Sequence, residues 1–563
     1  MTQPSDLPPP EQPIRARQIR APKGDGETLS YPPVNDALLH AGIGNEFVVS
    51  STLQSFPGAD AARAQFVQAA IQYTSHYSYA PQLRPTQATK LVVAGHQPEL
   101  FHPGVWLKNF VLDRCGQSPN TLAINLTIDN DVARHTSVRI PVGDPSQPRL
   151  EEIHLDETSA AIPYEERRVA SRSSLRSFPD RMRAAFDQRV WFQREPQKLL
   201  VDEVWRKLAW GDAKRLPLGE LLAQARHRCE QDLGLQTLEL PLSHIAQTEH
   251  FRNFALRIFH DLPKFREIYN QSLAEYRIVN KIRSNSHPVP ALAVETEPIP
   301  ELSVEGEWTE VPFWIWSKED PRRRRLFIRQ DRLGDKQSTI AFTDRDKIVN
   351  SIVGKNDDPE SWLHMWRGLE EFCGIKIRPR ALITTMYARL FLSDLFIHGI
   401  GGAKYDELTD AIIRRFFGIE PPAFMTVTGT VRLPIPRPEV SAADVRSVKQ
   451  LIREIRFHPE KFVNDASPAL RDSATQFAAQ KQELLRQHQF HFRGASSEQF
   501  RALDDLNQQL HTLLTDVEIR LRGELKTTEQ DYQTARILGS REFSFVLHPT
   551  DTLPEQLKRM ASS

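Results

Sequence analysis

The chain has 563 residues, with 72 Lys+Arg against 72 Asp+Glu, 25 Gly and 40 Pro. That length suggests about three or four domain-sized units, and 40% hydrophobic with 26% charged residues is ordinary for a soluble globular protein. Zero formal charge excludes a generalised polyanion binder, so no nucleic-acid partner is expected, although a local basic pocket remains open.

Cys115, Cys229 and Cys373 are widely spaced and odd in number. No metal-ligand spacing accompanies them, so they predict packing residues in a reducing compartment and no metal site. The start, MTQPSDLPPPEQ, lacks the basic and apolar regions of a signal peptide. No apolar run of about 18 residues suggests a membrane span. The expectation is a cytoplasmic protein without a membrane partner.

Residues 1–33 hold eight prolines and little apolar periodicity, which predicts a disordered arm, set at 1–35. A helix is predicted at about 60–74. KLVVAG (90–95) reads as a strand ending in glycine, and helical spacing begins at Val105. TLAINLTIDND (121–131) reads as a second strand. Strand, loop, helix, strand opens a βαβ unit, whose ligands sit beyond the carboxyl ends of the strands.

Residues 170–285 read as largely helical, with a strand at 238–245. VPFWIWS (311–317) and RRLFIRQ (324–330) flank a turn and predict a hairpin. The four-Arg run Arg322–Arg325 reads as its solvated tip. Another helix is predicted at about 359–373.

In the last third, Ser441 and Asp444 form a capping-box pattern, and Ser467-Pro468 starts another helix. Leu503, Leu506, Leu510, Leu513, Val517, Leu521 and Leu525 then line one seam of a helix of roughly 40 residues. An antiparallel helical hairpin or short coiled coil follows. REFSFVLHP (541–549) reads as a final strand. The expected organisation is the arm, a core over 36–435 with a mainly helical insertion at about 150–290, a coiled-coil domain over 436–540, and a strand and tail over 541–563.

Three clusters carry chemistry. Gly95, His96, Gln97, His102 and Gly104 surround a strand end and helix entry, where imidazole, amide and free N–H groups suit phosphate or carboxylate; Lys108 adds a positive charge one turn later. Asp129, Asn130 and Asp131, near Arg134 and His135, suit an amine, a ribose hydroxyl or a hard cation, although Asp and Asn there also make ordinary turns. Gly399, Gly401 and Gly402 fall within four residues of a glycine-poor chain and precede a helix, with Lys404 close by. That loop fits neither a Walker motif nor GxGxxG, and it also suits a tight turn for helix packing.

These clusters, in this order, resemble the cysteine-adding enzymes of bacillithiol biosynthesis. Gly95-His96-Gln97 matches that family's Gly-Gln-Gln, His102-Pro103-Gly104 its Thr-Gly-Pro turn, and Lys108 a helical lysine. Ile128-Asp129-Asn130-Asp131 stands where the family has Glu-Asp-His-Asp. Gly399-Ile400-Gly401-Gly402-Ala403 stands for Gly-Gly-Pro-Gly-Glu, without its acidic residue. The resemblance spans roughly 90–540.

It implies an α/β fold with a Rossmann-like, nucleotidyltransferase-like parallel-sheet core, a helical insertion and a dimerising C-terminal coiled coil. It also implies a ligase joining cysteine or a similar group to a small amine. His96, Gln97 and Lys108 would contact an anion, such as the phosphates of ATP or ADP. Asp129 and Asp131, with His96, would serve the chemistry, and Gly399–Gly402 would close over the ligand. The competing reading is a non-catalytic ligand-binding or assembly protein that keeps the cleft.

Overall fold

Leu91, Val92, Val93 and Ala94 are all buried, but they face two different cores. A strand covered on both sides needs an unbroken apolar run, and β2 (Lys90–His96) has one. Leu91 and Val93 join the core on one face, and Val92 and Ala94 join the other. In the computed structural model, the described residues are 14, 19–43, 58–80, 89–134, 136–157, 161–296, 307–356, 358–487 and 497–562. The protein is a mixed α/β structure.

The strands in chain order are β1 (Thr28–Tyr31), β2, β3 (Thr121–Thr127), β4 (Ser137–Asp144), β5 (Gln147–His154), β6 (Leu238–Pro241) and β7 (Val294–Glu295). They continue with β8 (Trp308–Ser317), β9 (Arg324–Arg332), β10 (Gln337–Thr343), β11 (Val349–Lys355), β12 (Ile375–Pro379), β13 (Leu395–His398) and β14 (Ala423–Gly429). The central sheet has the order β1-β14-β13-β2-β3-β6. All its pairings are parallel except β1 with β14. From β2 the chain moves to β3 and β6 on one side; from β13 it moves to β14 on the other. The order therefore reverses between β2 and β13, the place where such sheets leave a crevice at the strand ends.

The helix Pro103–Gly116 packs under β14, β3 and β2. Helices Ala59–Ser75 and Ile400–Ile412 belong to the core on the opposite face. A second sheet, β11-β10-β9-β8-β12 with β7 beside β8, is antiparallel. The expected hairpin is its β8–β9 pair; its other strands were not anticipated.

Four expectations need correction. Residues 28–31 of the expected arm form β1, because their backbone pairs with β14. The strand expected at 238–245 is present as β6 but stops at Pro241, where a short helix begins, and it joins the central sheet from within the expected insertion at about 150–290. Residues 541–549 form no strand: Phe545–Leu547 make one 3-10 turn, and the helix Leu553–Ser562 follows. Phe543, Phe545, Val546 and Leu547 are all buried together, which removes the alternation a half-exposed strand needs.

The fourth concerns the long helix. It is two helices, Ser497–Leu513 and Thr515–Leu538, interrupted at Leu514. They pack with Pro468–Gln487 and Ala442–Phe457 of the same chain around Ile455, Phe462, Leu510, Leu514, Val517 and Leu521. The capping box is present: Ser441 Oγ accepts from the Asp444 N–H, and Asp444 Oδ2 accepts from the Ser441 N–H. No helix among the described residues is long and apolar enough to cross a membrane.

Candidate functional site

A cleft of about 610 Å³ opens where β2 and β13 end. Gly95, His96 and Gln97 line it from β2, and His398 with Gly399–Gly402 line it from β13. His102, Gly104 and Lys108 enter from the helix after β2, and Asn130 and Asp131 from the end of β3. Trp314, Arg323 and Arg380 form a wall from the second sheet, and Arg541 closes one edge. The three sequence clusters converge here.

At the end of β2, His96 Nδ1 lies 3.2 Å from the Gln97 carbonyl. A carbonyl only accepts, so Nδ1 carries the proton and Nε2 the lone pair. Burial, then the charge of Lys108, holds this imidazole well below its ordinary pKa. His102 caps the next helix, with Nδ1 accepting from the Gly104 N–H at 3.1 Å. Burial pulls it down to about 4 despite nearby Glu542. Gly104 must be glycine, because a Cβ there would collide with the Gly429 carbonyl oxygen.

Lys108 is buried and donates from Nζ to the Gly95 carbonyl at 2.8 Å. Burial and, secondarily, the Arg226 guanidinium lower its pKa to about 7. Arg226 is itself held by Glu230 and Glu239, and Glu230 also accepts from Trp106 and Asn109. A buried ammonium beside a cation is poorly solvated unless an anion completes it.

The acidic cluster divides. Asp131 lines the cleft; its Oδ2 accepts from Gln97 at 2.9 Å, and Arg323 pairs with its Oδ1 at 2.8 Å. Asn130 donates to the Pro379 carbonyl at 2.7 Å and so ties β3 to β12. Asp129, expected to be catalytic, does not line the cleft. Its carboxylate accepts from the Ser243 N–H at 2.9 Å and from Ser243 Oγ, pinning the turn after β6. Burial, then Glu165, pushes its pKa up to about 7. Residues 129–131 turn away beyond the end of β3, and the two Ser243 contacts hold Asp129 on the β6 side, away from the cleft. His135 lies outside the described residues.

The glycine loop caps the helix Ile400–Ile412, with Gly399 at the N-cap and no side-chain partner for the first amides. None of Gly399, Gly401 and Gly402 has a positive φ, so they do not serve a left-handed turn. Gly401 leaves open space, whereas a Cβ on Gly402 would lie 2.5 Å from His398 Nδ1. Lys404, expected to bind ligand, is exposed and does not line the cleft, since it falls on the outer face of the helix.

Several lining residues were missed. Arg323, read as part of a solvated turn, is largely buried against Asp131 and the Trp314 ring, 4.3 Å from its centre. Arg380 lies 4.4 Å from the same ring and pairs with Glu310 at 2.7 Å. A bulge between Val311 and Trp314 re-aims that segment, and a hairpin pattern carries no signal for it. Arg541 donates to Thr428 at 3.1 Å. His398, which opens the glycine-rich run, also lines the cleft.

Cys115 and Cys229 are buried, and burial pushes both thiols up to about 12, as packing residues require; Cys373 is exposed instead. Among the described residues, no group of three or more His, Cys, Asp or Glu is placed to hold a metal ion. No family model matches this chain, and no curated protein matches its sequence.

Proposed function

We propose that the cleft belongs to a ligase or transferase of the cysteine-adding type, built on a Rossmann-like core with a C-terminal helical hairpin. It joins an amino acid or similar carboxyl-bearing group to a small amine. The observation that supports this most is the meeting of His96, Gln97, Lys108, Asp131 and the Gly399–Gly402 loop at the point where strand order reverses.

The charge balance of the walls supports an anionic substrate. Lys108, Arg323, Arg380 and Arg541 line the cleft against the single carboxylate of Asp131. The amides opening the helix at Ile400 add a further anion-favouring end. In this reading Lys108 and the glycine loop hold the anion, and Asp131 orients the amine. Ile400–Gly402 and Lys108 are also the groups that would hold the phosphates of ATP or ADP, which would supply carboxyl activation.

A homodimer through the C-terminal helices fits the same reading. Phe500 and Ile519 remain 54% and 65% exposed on Ser497–Leu513 and Thr515–Leu538. A cytoplasmic setting suits the three free cysteines.

The test is thermal shift with ATP, ADP, cysteine and amino-sugar malates, followed by mass-spectrometric detection of the condensation product. Stabilisation by an anionic substrate together with product formation is expected. No shift with any of these compounds, and no product, would discard the ligase reading.

A further inference from the structure

His398 ends β13 beside the glycine loop, and its surroundings differ from those of His96. Its Nε2 abuts the carboxylate of Asp406, two turns along the following helix. Asp406 is fully buried and His398 is 4% exposed. Behind Asp406 stands the buried Arg389, 3.9 Å away, which pairs with Asp410 at 2.6 Å and donates to the Pro422 carbonyl. Phe396 and Phe424 pack around the imidazole, with ring centres 4.6 and 5.7 Å from it.

A carboxylate only accepts, so a neutral His398 set against Asp406 carries its proton on Nε2 and its lone pair on Nδ1. Nδ1 packs against Gly402 at the cleft wall, where a Cβ on that residue would come within 2.5 Å of it. An arginine, an aspartate and a histidine in line, among aromatic rings and ending at a cleft, are an expensive arrangement for packing alone. In a catalytic relay of this composition, a carboxylate beside the ring fixes the tautomer of the base.

We propose that His398, oriented by Asp406, is the general base of the cleft and accepts at Nδ1 the proton of the attacking amine. The proposal rests on the reading of the cleft as a transfer site. The donor is an activated acyl group of the acyl-phosphate class. The amine nitrogen bonds to the acyl carbon, and the acyl–oxygen bond breaks, its electron pair leaving with the phosphate. The amine proton passes to Nδ1 and then to solvent. His96 lacks a carboxylate on its ring and faces the Lys108 ammonium, which suits it to binding.

H398Q and D406N test this by kinetics and by ring NMR of histidine-labelled protein, with the wild-type melting temperature as the check on folding. H398Q is expected to lower kcat by about 100-fold or more with KM little changed. Besides buried His227, whose Nε2 lies 2.8 Å from the Thr237 carbonyl, the wild-type spectrum should hold a second slowly exchanging ring with Nε2 protonated. That signal should vanish in H398Q and change tautomer or exchange rate in D406N. Retention of kcat within about threefold in a folded H398Q, or an Nδ1-protonated His398 ring, overturns the proposal. If the wild type makes no product, the ligase reading fails by itself, and the ring spectra decide whether the relay exists.

Discussion

Arg323 Nη1 lies 2.8 Å from Asp131 Oδ1, so an arginine of the antiparallel sheet holds a carboxylate at the end of the parallel one. The same guanidinium reaches the Asn130 carbonyl at 3.1 Å and covers the Trp314 ring. The contact bridges the cleft and fixes the orientation of Asp131. R323A should therefore weaken the binding of an amine substrate by about tenfold, with a stability loss of about 1–2 kcal/mol for a partly buried pair. R323K should restore charge but not the stacked, forked geometry, and should recover only part of the affinity. Calorimetric titration and thermal melting of the three proteins check this.

Lys108 makes the cleft sensitive to pH. Its folded pKa of about 7 lies below its ordinary value of 10.5, so the unfolded chain binds more protons between those limits. The cost of burying its charge is fully present below about pH 7 and is relieved as pH rises towards 10.5. K108M should therefore melt higher than wild type at pH 6, with the gap narrowed at pH 9 and closed near pH 10.5. Pyrophosphate should stabilise the wild type more at pH 6 than at pH 8.5, because the ammonium is lost over that interval. A thermal-shift series across pH with both proteins checks the sign.

The C-terminal helices give a prediction about assembly. Their apolar seam is largely used within the chain, so a dimer has to be built from the outer faces that carry Phe500 and Ile519. Sedimentation at micromolar concentration should find a dimer, and F500E/I519E should shift it to monomer while melting is kept. A wild-type monomer contradicts the assembly.

Much of the central sheet was legible because β2 and β3 are short apolar runs that end in polar clusters. The helix start at Ala442 was legible because its capping box is local, whereas the helix expected from Val105 begins two residues earlier, at Pro103, behind the His102 cap. What escaped depends on distant partners. Thr28–Tyr31 has no pattern of its own and becomes a strand by pairing with residues 426–429. Arg323 looks like its neighbours in a charge run, and only its contacts with Asp131 and the Trp314 ring set it apart. Asp129 and Asp131 are indistinguishable by chemistry, and only their departure from β3 sends one to Ser243 and the other to Gln97. His398 gained its relevance from Asp406, which the sequence places in an ordinary helical stretch.

The pairing of β1 with β14 also bears on how the chain is made. β1 is synthesised almost four hundred residues before its partner, and Arg541 follows later still. The edge of β14 and the cleft therefore stay incomplete while the residues between them are made, since folding proceeds from the N-terminus as the chain emerges. A ribosome stalled before residue 541 would hold a nascent chain without the finished cleft, and emergence of Arg541 would be the step that closes it.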